Sequence, residues 1–106
     1  ALKCVPGTRS AFIEVLRSVA WFHWLRGDKA GSERIRRDVL ARMEASKIPL
    51  DVALGRAELA QDLAGTGNTA EARALLAQAL PVLREHFLPQ HINRAKFETL
   101  ARTLGA

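Results

Sequence analysis

Ala60-Gln61-Asp62-Leu63-Ala64-Gly65-Thr66-Gly67-Asn68-Thr69-Ala70-Glu71-Ala72-Arg73-Ala74-Leu75-Leu76 is the stretch on which the fold turns. Gly65-Thr66-Gly67 stops a helix, because glycine tolerates the backbone angles of a tight turn. Asn68 and Glu71 then stand at N-cap and N3 spacing, an asparagine variant of the capping box that starts the next helix at Thr69. Upstream, Val52, Leu59, Ala60 and Leu63 recur at helical spacing. Downstream, Ala72, Leu75, Leu76, Ala79, Leu80 and Leu83 continue past Pro81, where a kink is expected from the missing backbone donor. Two apolar stripes joined by so short a turn predict an antiparallel helical hairpin.

The same punctuation extends both ways. Residues 1–10 read as an irregular lead-in with Pro6 and Gly7, and Ser10 is a candidate N-cap for a helix from Ala11 to about Gly27. Asp28 is placed to cap a second helix ending near Ser46, with Ile35, Val39, Leu40 and Met43 on its apolar side. Arg34, Arg36, Arg37 and Arg42 are expected on a solvated basic side. Ile48-Pro49 breaks the chain, and Pro49 suits the first turn of a third helix. Leu88-Pro89 closes the fourth helix. A fifth, roughly Gln90 to Leu104, carries Phe97, Leu100, Ala101 and Leu104 before Gly105.

The hairpins repeat with a period near 40 residues. Gly27 answers Gly67, Ala20 answers Ala60, and Val39-Leu40 answers Ala79-Leu80. Across residues 52–87, Ala60, Leu63, Gly67, Ala72, Leu76, Ala79 and Leu80 resemble the small-and-large apolar pattern of a tetratricopeptide repeat (TPR). Small residues let the two helices cross closely, and leucines fill the groove to the next hairpin. Over residues 11–46 the pattern is poorer: Ser32 and Arg36 stand where the family carries alanine and an aromatic residue or leucine. The repeat is also longer than the family's usual one, as in its longer-helix bacterial variants. The expected fold is therefore all-α: two TPR-like hairpins (11–46 and 50–87) plus a C-terminal capping helix (90–104), in one domain of a larger protein. An unrelated Ala/Leu-rich bundle is the alternative.

Composition narrows the function. With 106 residues, 48% hydrophobic and 25% charged, the chain suits one globular domain. No strand pattern is legible. Cys4 is the only cysteine, so no intrachain disulfide or thiolate metal cluster is expected, and a cytoplasmic, reducing setting fits. The most apolar run, 11–25, contains Glu14, Arg17 and His23 and is too short and polar to span a bilayer; no signal peptide is legible, and the missing initiator methionine suggests a fragment. His23, His86 and His91 form no compact ligand motif, and the carboxylates Asp51, Glu58, Asp62 and Glu71 read as members of a solvated face, so no metal, cofactor or catalytic site is expected. The glycines at 65–67 lack the lysine and preceding strand of a phosphate loop.

Net charge is +5, concentrated early: residues 26–47 hold seven Arg/Lys against four Asp/Glu, whereas 50–87 hold three against five. Interspersed acids dilute the basic helix, which predicts at most weak, salt-dependent, sequence-independent nucleic-acid association. The resemblance implies a non-catalytic protein-interaction module in a bacterial regulatory or signalling protein, with the first helix of each hairpin lining a concave face. Aligning the glycines places Glu14, Arg17, Trp21 and Trp24 there, and Leu54, Ala57 and Gln61 from the second hairpin. Arg17, Trp21, Trp24 and Gln61 are the expected partner-binding residues. Phe12, Ile13 and Phe22 make the first helix apolar nearly all round, which also admits homo-oligomerisation through it. Nucleic-acid and small-molecule binding remain the alternative functions.

Overall fold

The computed structural model describes residues 11–105; the lead-in, the Ser10 cap and Cys4 lie outside them. It contains five helices, α1 (Ala11–Leu25), α2 (Lys29–Ser46), α3 (Pro49–Gly65), α4 (Thr69–His86) and α5 (Ile92–Leu104), with no strand among the described residues. Each helix packs against the next in sequence, and α5 also touches α3. The helices α2 and α4 begin 40 residues apart and end 40 residues apart, so the periodicity in the sequence is a periodicity of structure.

The two interhelical turns are copies of one another. Gly27 and Gly67 take φ of 83° and 90°. Asp28 N donates to His23 O at 2.8 Å and Gly27 N to Trp24 O at 3.0 Å; in the second turn, Asn68 N donates to Leu63 O at 2.9 Å and Gly67 N to Ala64 O at 3.3 Å. This bond pair, with a left-handed glycine, is the Schellman solution to the orphan carbonyls at a helix end.

The caps that follow differ. Asp28 accepts from Gly31 N at 2.9 Å. Asn68 makes no side-chain cap; its amide donates instead to Glu71 at 3.2 Å, so the expected capping box does not form. The reason is partly tertiary: a Cβ on Gly31 would stand 2.4 Å from the Asp28 carboxylate, and at the equivalent position 71 the chain has a glutamate, whose carboxylate is held by Arg37 of another helix. As expected, Pro49 occupies the first turn of α3. The helix α4 is continuous across Pro81. His91 caps α5, which starts two residues later than the sequence suggested, and Gly105 ends it with φ 75°.

The core lies in the second hairpin. Leu54, Ala57, Leu59, Ala60, Leu63, Ala72, Leu76, Ala79, Leu80 and Leu83 are buried there with Phe97 and Ala101 of α5. At about 1.5–3 kcal/mol for each fully buried large apolar side chain, this cluster is the main source of stability. Leu54 and Ala57, expected on the concave face, belong to it. The first hairpin adds Ala20, Val39, Leu40 and Met43, and joins α3 where Gly55 lets Met43 and Leu40 come close.

Candidate functional site

Between the hairpins lies a polar seam. Arg36, expected on the solvated side of α2, is 9% exposed. Asp62, expected on a solvated face, is 5% exposed, and Ser32 is fully buried. The reading of α2 as carrying a wholly solvated basic side, and of α3's acids as solvated, is thus corrected: Ser32 and Arg36, which depart from the family's apolar pattern, are buried and both meet Asp62 of α3. The Ser32 hydroxyl donates to Asp62. The Arg36 Nε stands 3.5 Å from the same carboxylate, and its Nη1 donates to Glu58 at 3.5 Å. Arg17 of α1 closes the chain, donating through Nε to Glu58 at 3.0 Å and through Nη2 to the other carboxylate oxygen. Burial works against the charge of Arg17, but its hydrogen bond to Glu58 and that acid's charge outweigh this and hold the guanidinium above its ordinary range. Two arginines and two acids balance, so the seam is buried without net charge.

Beside this seam opens a groove of about 570 Å³. Its walls come from α1 (Glu14, Arg17, Ser18, Trp21), α3 (Glu58, Gln61) and α5 (Lys96), with Arg36 of α2 at its base. Three of the four expected partner-binding residues, Arg17, Trp21 and Gln61, therefore meet in one place. Trp21 is half exposed, offering a rigid aromatic surface. Arg17 is committed to Glu58 and also donates to Glu14 at 3.1 Å.

Trp24 falls outside the groove. Its ring lies over the end of α3, so close to Gly65 that an added Cβ there would stand 2.4 Å from it, and Lys29 caps its face at 5.1 Å from the ring centroid. Sequence reasoning missed Lys96, which a third first-of-pair helix brings to the groove, and missed Glu58 and Arg36. The signal for Arg36 was present: with Ser32 it stood at a core position of the repeat.

Outward, several of the charges are paired. Arg37 bonds Glu71 of α4 through two 2.9 Å contacts as well as Glu33, and Arg42 pairs with Asp38 at 3.2 Å. The hydrogen bond from Arg37 holds the Glu71 carboxyl below its usual range. Among the described residues, no group of His, Cys, Asp and Glu is placed to hold a metal ion, and no helix is long and apolar enough to cross a membrane.

No curated protein and no solved structure matches the chain significantly. The family model described as tetratricopeptide repeat matches residues 52–93, which covers the second hairpin and the approach to α5, and such repeats suggest a protein–protein interaction module. With that match on one hairpin, a second hairpin built to the same 40-residue plan and a fifth helix packed on α4 and α3, the chain is an all-α array of TPR-like helical hairpins.

Proposed function

We propose that the chain is a non-catalytic interaction module that holds a peptide or a partner's surface segment in the groove formed by α1, α3 and α5. The observation that carries this reading is the convergence of Arg17, Trp21 and Gln61 with Lys96 on one open face. An exposed tryptophan framed by hydrogen-bonding side chains is the composition of an interface anchor. The groove is open rather than enclosed by apolar walls, which favours an extended chain over a small molecule. Nucleic acid is the weaker reading, because Arg37 and Arg42 are engaged by carboxylates and Arg36 is buried. The bacterial, regulatory setting implied by the resemblance belongs to this proposal as well.

The test is selection of peptides from a displayed random library on the folded chain. Binders that lose tenfold or more in affinity on Trp21→Ala or Gln61→Ala, and nothing on Arg73→Ala at an exposed position of α4, support the groove. Binders indifferent to both groove substitutions overturn it.

A further inference from the structure

The two acids that line the groove, Glu14 and Glu58, are already held. Arg17 donates to Glu14 through Nη1 and to the two carboxylate oxygens of Glu58 through Nε and Nη2. The groove's donors are not spent in the same way. Lys96, exposed on α5, makes no ion pair among the described residues; its ammonium stands 4.7 Å from the ring centroid of buried Phe97, a contact that leaves its charge unneutralised. Neither the Gln61 amide nor the Trp21 indole N–H makes a hydrogen bond among the described residues. At the base, Arg36 is under-bonded: it is nine-tenths buried, its Nε has no hydrogen bond, and its contacts to Glu58 and Asp62 are both at 3.5 Å. The groove therefore offers a surplus of donors and an unneutralised cation beside an exposed aromatic ring.

We infer that the occupant of the groove is an acidic segment of a partner protein, whose Asp or Glu side chain pairs with Lys96 while a neighbouring apolar side chain packs on Trp21. This rests on the reading of the groove as the binding face and adds the chemistry of what it holds. The donor surplus carries the inference. Neutral acceptors satisfy Gln61 and the indole, but only a carboxylate also neutralises Lys96. A basic segment would find Glu14 and Glu58 engaged by Arg17 and would face Lys96 with like charge. The carboxylate belongs to a side chain rather than to a chain terminus, because Lys96, Gln61 and Trp21 all lie within helices whose backbone donors are spent on the helix itself. They supply no nest of free N–H groups of the kind that captures a terminus. The segment thus passes across α1, α3 and α5 with its aromatic contact on the first and its charge contact on the last.

Random peptides selected on the folded chain, then synthesised with amidated C-termini, test this. Binders that depend on Trp21 should be enriched in Asp and Glu. Lys96→Gln, with its helical circular dichroism retained, should weaken them roughly fivefold at an ionic strength of about 0.05 M, and most of that difference should vanish at about 0.5 M. Replacing the selected acid of the peptide by its amide should cost as much on the wild-type chain and nothing further on Lys96→Gln. Selection repeated on Lys96→Glu should turn the enrichment from Asp and Glu to Lys and Arg. Binders that depend on Trp21 but carry no acid, or whose acid matters as much to Lys96→Gln as to the wild type, overturn the inference and leave the groove standing. So does binding that needs a free C-terminus. A library that yields no binder sensitive to Trp21→Ala removes the groove itself, and the inference falls with it.

Discussion

The two hairpins share one backbone plan and are held together by different physics. The α3–α4 hairpin is joined by alanines and leucines and buries no charge between its helices. The α1–α2 hairpin reaches α3 through Leu40 and Met43 at Gly55 and Trp24 at Gly65, and also through Ser32, Arg36, Asp62, Glu58 and Arg17, a network of hydrogen bonds and ion pairs in largely buried surroundings. An apolar interface tolerates small shifts in register, since any contact of the right size serves. A buried charge network costs several kcal/mol wherever its partners are separated, which restricts the arrangements in which the first hairpin can sit on the second.

The largest expected effect breaks this contrast at its centre. Asp62→Ala leaves Arg36 buried with only the 3.5 Å contact to Glu58 and removes the acceptor of Ser32, and should lower unfolding free energy by about 3 kcal/mol in urea titration. The triple change Ser32→Ala, Arg36→Leu and Asp62→Leu, which gives the first interface the character of the second, should recover most of that loss. If the triple variant is as unstable as the single one, the seam is more than a polar substitute for packing.

The tryptophans sharpen the comparison next. Trp24 packs against Gly65 and so bridges the hairpins, and Trp24→Ala should cost about 2 kcal/mol, less than a fully buried aromatic. Trp21→Ala, on the groove, should leave stability within about 0.5 kcal/mol. Equal melting temperatures for the two variants would remove Trp24 from the bridge and return it to the candidate binding surface.

The turns should be where the hairpins behave alike. Gly27 and Gly67 have similar positive φ, and at neither does an added Cβ meet another atom within 4 Å, so the cost of valine is conformational alone. Gly27→Val and Gly67→Val should each lose about 1–2 kcal/mol. A large difference between them would show that the turns are not equivalent.

The smallest effect lies at the far end. Two hydrogen bonds from Arg84, helped by Arg94, hold the Glu98 carboxyl down to about 2. Because this group's folded value is depressed below its ordinary 4.5, its contribution is fully present above pH 4.5 and is lost as pH falls toward 2. The pair is at the surface, so Glu98→Gln should flatten the acid limb of the stability profile by less than about 1 kcal/mol.

The local features were determined by the sequence alone, because they depend on residues a few positions apart. Gly27, Gly67 and Gly105 end helices by supplying left-handed backbone, Asp28 caps, Pro49 opens α3, and the spacing of Ala60, Leu63, Ala72 and Leu76 sets the faces that meet. Only the tertiary structure decided what distant residues do to one another. Arg36 looked solvated until Asp62 and Glu58, more than 20 positions away, were brought beside it. Trp21 and Trp24 stand three apart, yet only the position of α3 sends one to the groove and the other onto Gly65. Asn68 had the right neighbour for a capping box, and Arg37 from another helix took that neighbour's carboxylate. Propensity and turn chemistry are local and legible in a single chain; the pairing of charges depends on which surfaces fold against each other.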